Sequence, residues 1–372
     1  MKKITPTAAL LILAGTTQAQ FYEVPTGRID GISNVGVASG STFGDGQYFM
    51  WTTGTGAVGI GGVSPGNGVG GEGGISDDGR YISGTTWNAA QGYHEMSRYD
   101  INTGTWTGFG GIPGIGAQVD SEISGGWGMS GDGNSVIGLG WTSQGTADAH
   151  ATQWTDGVGM FSLGTNQVGE SSRATALSYD GSVAAGWQDG SGRQGAAWVG
   201  GTQELIFLPD GTTPAQEAFD VSSDGQYVVG MGVGSFVAPG TAYRYNTTTN
   251  TTELIPNLAA GADRFMAAAT TNADGSLIGG GTWGFGPATF GNGFIWEEGV
   301  GTMTVADYLD SKGIAYPSGF SFSFVSDISP DGQWIAGWGG IGSSESWVVH
   351  IPAPSSLALL GLGGVAAIRS RR

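Results

Sequence analysis

The stretch ISPDGQWIAGW, Ile328 to Trp338, decides the fold. It sets an Asp-Gly turn between two apolar runs, and Gly and Asp both tolerate the backbone conformations of a tight reversal. The same setting recurs five more times, so that the pairs begin at Asp78, Asp132, Asp180, Asp224, Asp274 and Asp331. Successive copies lie 54, 48, 44, 50 and 57 residues apart. A loose period near fifty points to a propeller or a solenoid.

The flanks repeat as well. Two residues before each Asp stands Ser76, Ser130, Ser178, Ser222, Asn272 or Ser329, and six after it stands Gly84, Gly138, Gly186, Gly230, Gly280 or Gly337. With Asp and Gly as a two-residue hairpin loop, the residue three before the Asp faces the residue four after it. Both are largely apolar, as in Ile328 and Ile335 or Val221 and Val228, so they form cross-strand pairs. The Ser or Asn can bond nearby backbone and steady the turn. Turn chemistry therefore accounts for all six aspartates. The strand after each turn (QYVVG, SVAAG, QWIAG) is apolar without alternation, the pattern of a strand covered on both faces.

An aromatic beat follows each turn: Tyr99, Trp154, Trp198, Tyr245, Trp296 and Trp347. A seventh, Trp51, lies downstream of GISNVGVASG, a worn copy of the hairpin. Seven units of about fifty residues predict a seven-bladed β-propeller. The last unit ends soon after ESWVVHI, without the strand that follows the aromatic beat elsewhere. FYEVPT, Phe21 to Thr26, is free to fill that place and close the ring. One short helix is expected in TVADYLDSKG, Thr304 to Gly313.

Composition agrees with an all-β reading. Gly makes up 73 of 372 residues, aromatic residues are 10%, and there are 13 Trp. The formal charge is −18, from 31 acids against 13 bases, which disfavours nucleic acid and anionic lipid surfaces as partners. Divalent cations held by oxygen ligands are the bridging partners such acidity admits. There is no cysteine, hence no disulfide framework and no thiolate site.

Both ends read as addresses. MKKITPTAALLILAGTTQAQ has a basic start at Lys2 and Lys3, an apolar stretch and a small-residue exit. This is the order of a secretory signal peptide spanning residues 1–19, with cleavage between Ala19 and Gln20. The propeller is then expected over residues 20–351. The other end, residues 352–372, has Pro352-Ala353-Pro354, an apolar run from Leu357 to Ile368, and Arg369, Arg371 and Arg372. Basic residues after an apolar run favour retention on the cytoplasmic side. In this order of parts the segment resembles the PEP-CTERM sorting signal of Gram-negative bacteria. That resemblance implies export, a transient hold in the inner membrane through this tail alone, and processing by an exosortase at Pro352 to Pro354. Ala353 stands where that family usually has Glu.

The fifty-residue units resemble the HAF repeats of bacterial extracellular proteins, with Ser-x-Asp-Gly, a Gly six residues on and an aromatic strand. HATQW, His150 to Trp154, matches the naming motif at His150 and Ala151. ISPDGQWIAGW also resembles the TolB-type propeller repeat. These resemblances imply fold and location, and no chemistry.

No catalytic set is legible. His94, His150 and His350 are far apart, without metal-ligand spacing. Sialidase-type propellers repeat Ser-x-Asp-x-Gly, whereas here Gly follows Asp directly. They also need clustered arginines, while Arg80, Arg98, Arg173, Arg193, Arg244 and Arg264 are scattered along the chain. His94-Glu95 and Asp148-His150 are the off-pattern candidates for an acid-bearing site. The sequence thus favours a non-catalytic binding or scaffolding propeller of the cell surface, which requires no cofactor. Its partner would be an extracellular polysaccharide or another surface protein. The alternative is a polysaccharide-active hydrolase or lyase with its site at the ring mouth. Binding function is expected in the connections Asn88 to Glu95, Gly110 to Gly126 and Pro209 to Glu217.

Overall fold

Seven small antiparallel sheets form the body. The computed structural model describes residues 20–25, 27–42, 46–63, 70–115, 121–142, 148–233, 239–258, 265–284, 291–340 and 345–352. The signal segment, Ala353, Pro354 and the terminal arginines, together with Arg264, lie outside the described residues.

Six sheets have four strands and one has three. Blade 1 holds β2 (Arg28–Ile32), β3 (Ala38–Ser41), β4 (Tyr48–Thr52) and β5 (Gly56–Gly61). Blade 2 has β6 (Tyr81–Asn88), β7 (Tyr93–Asp100) and β8 (Thr105–Gly108). Its inner edge is made instead by Gly70 to Ile75, tied to β6 through an Ile75–Ile82 bridge and a Ser83 N–H to Gly74 carbonyl bond of 2.8 Å. Blades 3 to 6 run in order from β9 (Ser124–Met129) to β24 (Gly301–Thr304). Blade 7 comprises β25 (Ser321–Ile328), β26 (Trp334–Gly340) and β27 (Glu345–His350), and its fourth strand is β1 (Gln20–Val24). Phe21 opposes Val349 and Glu23 opposes Trp347. The ring therefore closes with a strand from the far end of the chain, as expected, and no blade leaves its partner edge open there.

The turn differs in detail from a two-residue loop. In all six copies the Gly N–H bonds the carbonyl of the Ser or Asn three residues before it, as from Gly133 to Ser130 at 2.9 Å and from Gly332 to Ser329 at 2.8 Å. The loop thus has four residues, and of each Asp-Gly pair only the Gly has positive φ, between 69° and 74°. The Asp does not need that conformation. Its Oδ1 accepts the N–H two residues on, at 2.9 Å for Asn134 on Asp132 and 3.0 Å for Gln333 on Asp331. The buried Ser donates to the same carboxylate, at 2.6 Å from Ser130 to Asp132. It also accepts the N–H that opens the next strand, at 2.9 Å from Ser135. Blade 1 carries the worn copy one residue shorter, with Ser33 bonded to Val37 across Asn34, Val35 and Gly36.

The predicted register holds. Met129 opposes Val136, Leu177 opposes Ala184, Val221 opposes Val228 and Ile328 opposes Ile335. The Gly six residues after the Asp has a packing cause. A Cβ on Gly138, Gly186 or Gly337 would run into the carbonyl of Gly125, Arg173 or Phe324 on the inner strand, which bulges beside it. The seven aromatic residues all sit on third strands, and Trp51, Trp198, Tyr245 and Trp347 are buried between sheets.

The helix is α1 (Val305–Ser311), capped by Thr304, whose hydroxyl accepts the Asp307 N–H at 3.0 Å. Its Val305, Tyr308 and Leu309 join Phe320, Phe322 and Trp347 in one core cluster against which Phe21 packs. The helix thereby covers the blade at which the chain ends meet.

Candidate functional site

The innermost strands of all seven blades surround a central channel of about 140 Å³, lined by Asp30, Glu72, Asp77, Trp127, Asp220 and Asp327 among others. The strands run toward the Asp-Gly turns, so the turns ring one end of the channel. They are bonded to one another in a circuit. Asn34 N–H reaches Asp77, Asp77 reaches Gly131, Asp132 reaches Tyr179, Tyr179 reaches Ser223, Asp224 reaches Ala273 and Ala273 reaches Pro330, at 2.9 to 3.1 Å. Pro330 has no N–H, and the Asp331 N–H closes the circle on Asn34 Oδ1 at 2.9 Å. This end is built as a brace.

The acids inside the channel staple blade to blade. Asp327 accepts the Ile32 N–H of blade 1 at 2.6 Å and the Thr270 hydroxyl of blade 6 at 2.8 Å. Asp220 accepts the Thr271 N–H at 2.8 Å, and Asp30 accepts the Gly73 N–H at 3.2 Å. Burial pushes Asp327 up to about 8, with Asp220 adding repulsion, and pushes Asp220 up to about 6. Asp77, near the turn ring, is raised to about 6 by burial and by Asp78, Asp132 and Asp331. Burial also raises Asp30, against the pull of Arg28.

The opposite end is where inner strands start and second strands finish. There Arg28 pairs with Asp30 at 2.9 Å and Glu72 at 2.5 Å, and lies 4.6 Å over the Trp338 ring. Trp338 stacks on Phe324 at 4.9 Å, and Trp283 stacks on Phe265 at 5.6 Å. Across the channel, Arg173 lies 3.6 Å over Trp127 and 5.1 Å from Trp187, whose ring Arg193 also approaches at 4.1 Å. Arg193 is paired with Glu217 at 2.6 Å. This rim of arginines and aromatic rings is the candidate site; Trp127, Phe265, Trp283 and Trp338 are partly exposed there, and Trp187 and Phe324 are buried behind them. It offers guanidinium forks and flat apolar faces, the groups that orient polar, ring-shaped or anionic ligands.

Of the arginines read as scattered, the fold brings Arg173 and Arg193 together at this mouth and adds Arg28. Arg80 and Arg98 lie toward the turn end, where Arg80 pairs with Asp100 and Arg98 donates to the Gly133 carbonyl. Arg244 is held by Glu253 and Glu298. His94 lies tilted against the Trp87 ring at 4.7 Å, and Glu95 accepts the Asn88 side-chain amide at 2.9 Å and the Gly110 N–H at 2.7 Å. Asn88 to Glu95 is thus half strand, with a four-residue turn between β6 and β7. His150 meets Ser162 at 3.1 Å, and Asp148 accepts the Thr142 N–H through its carbonyl. His350 stacks on Trp334 at 4.2 Å. Among the described residues no group of three or more His, Cys, Asp or Glu side chains is arranged to hold a metal. The six turn aspartates are engaged in their own loops.

No protein-family model matches the chain, and no curated protein matches it. Solved structures do. The β-propeller domain of the Trilobed protease from Pyrococcus furiosus matches at 10% identity and a TM-score of 0.51, over 89% of this chain and 96% of that one. An oligogalacturonate lyase from Vibrio parahaemolyticus matches at 10% identity and a TM-score of 0.50, over 91% and 95%. TolB from Acinetobacter baumannii matches at 14% identity and a TM-score of 0.42; the chain spans only 59% of its length. The protein is an all-β, seven-bladed β-propeller, and at such identities the likeness speaks for fold alone.

Proposed function

We propose that this propeller is an exported bacterial surface or extracellular-matrix protein that binds or scaffolds without catalysis, through the mouth at the strand-start end. One observation carries the reading. Arginines and aromatic rings from blades 1, 3, 4, 6 and 7 converge there, while the channel acids Asp30, Asp220 and Asp327 are engaged in holding blades together. Extracellular polysaccharide is the partner this surface suits, since rings stack on apolar sugar faces and guanidinium groups meet their polar substituents. Residues 1–19 would direct export and residues 352–372 would hold the chain in the inner membrane until an exosortase acts.

A second reading is a polysaccharide hydrolase or lyase. Glu72, partly exposed beside Arg28, and Glu217, paired with Arg193, are the acids at the mouth that favour it. A hydrolase needs a second carboxylate across the scissile bond. The test is a binding panel of neutral and acidic extracellular polysaccharides against residues 20–351, with Trp338→Ala at the mouth and Tyr179→Ala at the turn end. Binding weakened only by Trp338→Ala supports the mouth; equal weakening by Tyr179→Ala places the contact elsewhere.

A further inference from the structure

Arg173 differs from the other described arginines. Arg28, Arg80, Arg193 and Arg244 each have carboxylate partners, and Arg98 has a carbonyl. Arg173 has neither among the described residues, although it is partly buried. Its Nε is buried without a hydrogen-bond partner, and so are the indole N–H groups of Trp127 and Trp187 beside it. Three unmet donors thus gather within one stack, 3.6 and 5.1 Å from ring to guanidinium. The acids whose fields reach Arg173 are already spent: Glu72 on Arg28, and Glu217 and Asp189 on Arg193. A desolvated cation with no counter-charge is costly, and an incoming anion relieves that cost.

We propose that Arg173 is the anion-recognising residue of the mouth and takes the carboxylate of a uronic-acid unit in an acidic polysaccharide. This rests on the binding reading above and deepens it. The planar fork matches a carboxylate bidentately. Trp127 and Trp187 hold the guanidinium in place before the ligand arrives, which limits the ordering cost. A uronate joins a carboxylate to a rigid ring with an apolar face, and the rim supplies the partly exposed rings of Phe265, Trp283 and Trp338 for such faces. An acidic peptide carries its carboxylates on flexible stems and must lose more freedom on binding. The body as a whole is strongly acidic, so long-range attraction does not assist an anionic polymer; recognition must come from these contacts.

The experiment titrates residues 20–351 with galacturonate and mannuronate hexamers, a fully methyl-esterified hexamer and a hexaglutamate peptide, read by tryptophan fluorescence and calorimetry. At least one free-acid hexamer should bind, at least tenfold more tightly than the ester or the peptide. Arg173→Gln should lose tenfold or more, Arg173→Lys should lose less, and Arg80→Gln should bind as the parent does. If Arg173→Gln fails to fold, Arg173→Lys with the ester comparison decides. No binding of either acid hexamer, equal binding of acid and ester, or an unaffected Arg173→Gln overturns the inference. Ester-tolerant binding would leave the binding-module reading intact, whereas turnover of a hexamer would remove that reading and leave the role of Arg173 standing. Tighter binding of hexaglutamate would exclude the saccharide as the occupant.

Discussion

At the residue scale, the repeated positions and the channel acids do different work. The Ser before each Asp-Gly pair meets two groups at once, so Ser130→Ala leaves the Ser135 N–H without its acceptor. A loss of about 1–3 kcal/mol is expected by chemical denaturation. Gly138→Ala should cost about as much or more, because its Cβ meets a carbonyl that cannot retreat without unmaking the bulge. The channel acids give a pH signature. Asp77, Asp220 and Asp327 have folded pKa values of about 6, 6 and 8 against an ordinary value of 3.8. The folded chain therefore binds more protons than the unfolded chain between about pH 4 and 8, and stability falls as pH rises through that window. Asp210, held at about 2 by the Thr213 hydroxyl and by backbone N–H groups, works the other way and loses its contribution as pH falls below 4. The melting temperature should peak near pH 4 to 5, and Asp327→Asn should flatten the decline between pH 6 and 8. A melting temperature that rises steadily from pH 5 to 8 would contradict the burial of these acids. The turn aspartates were legible in the sequence because they repeat. Asp30, Asp220 and Asp327 were not, because each occupies an inner-strand position where other blades carry Gly, Ala, Ser, Thr or aromatic residues.

At the scale of elements, register and closure follow from local pattern. Seven hairpins, six of them with an apolar pair across the turn, and aromatic residues on third strands, could be read directly. So could α1, whose Thr304 cap and Asp307 mark a helix start. The closing strand was legible because the last unit lacks one strand and an unassigned one precedes the first. Two features were not. The worn hairpin at Asn34 to Gly36 closes with one residue fewer, and the inner edge of blade 2 is a run of Gly-rich chain held by only a few ladder bonds. Neither leaves a mark in hydrophobic period. Phe21 links β1 to the α1 cluster, 5.0 Å from Phe320 and 6.0 Å from Phe322. Deleting Phe21 to Thr26 should lower the melting temperature of the whole ring, and Phe21→Ala alone should cost about 2–4 kcal/mol. An unchanged transition for the deletion would mean that β1 does not close the ring.

At the scale of the whole molecule, ring closure creates what no segment holds alone. Arg28, Trp127, Arg173 and Trp338 are spread over most of the chain, yet they meet around one opening because every inner strand starts on that side. Sequence spacing could count the blades but could not show this convergence, which depends on how seven copies turn about one axis. The two ends of the channel then differ: bonded turns brace one, and the rim of rings and guanidinium groups, the proposed ligand site, lies at the other. The tail belongs to the same scale. Removing residues 352–372 should release the body from the cell surface into periplasm or medium, and fractionation that finds the truncated chain as surface-bound as the parent would rule the tail out as the sorting signal. The central claim, binding without turnover, is met most directly by prolonged incubation of residues 20–351 with the polysaccharide that binds best, following new reducing ends and new unsaturated ends together. The account predicts saturable binding and no new ends of either kind. Steady product release, lost on Glu95→Gln, Asp148→Asn or Glu72→Gln, would contradict it and make the mouth an active site.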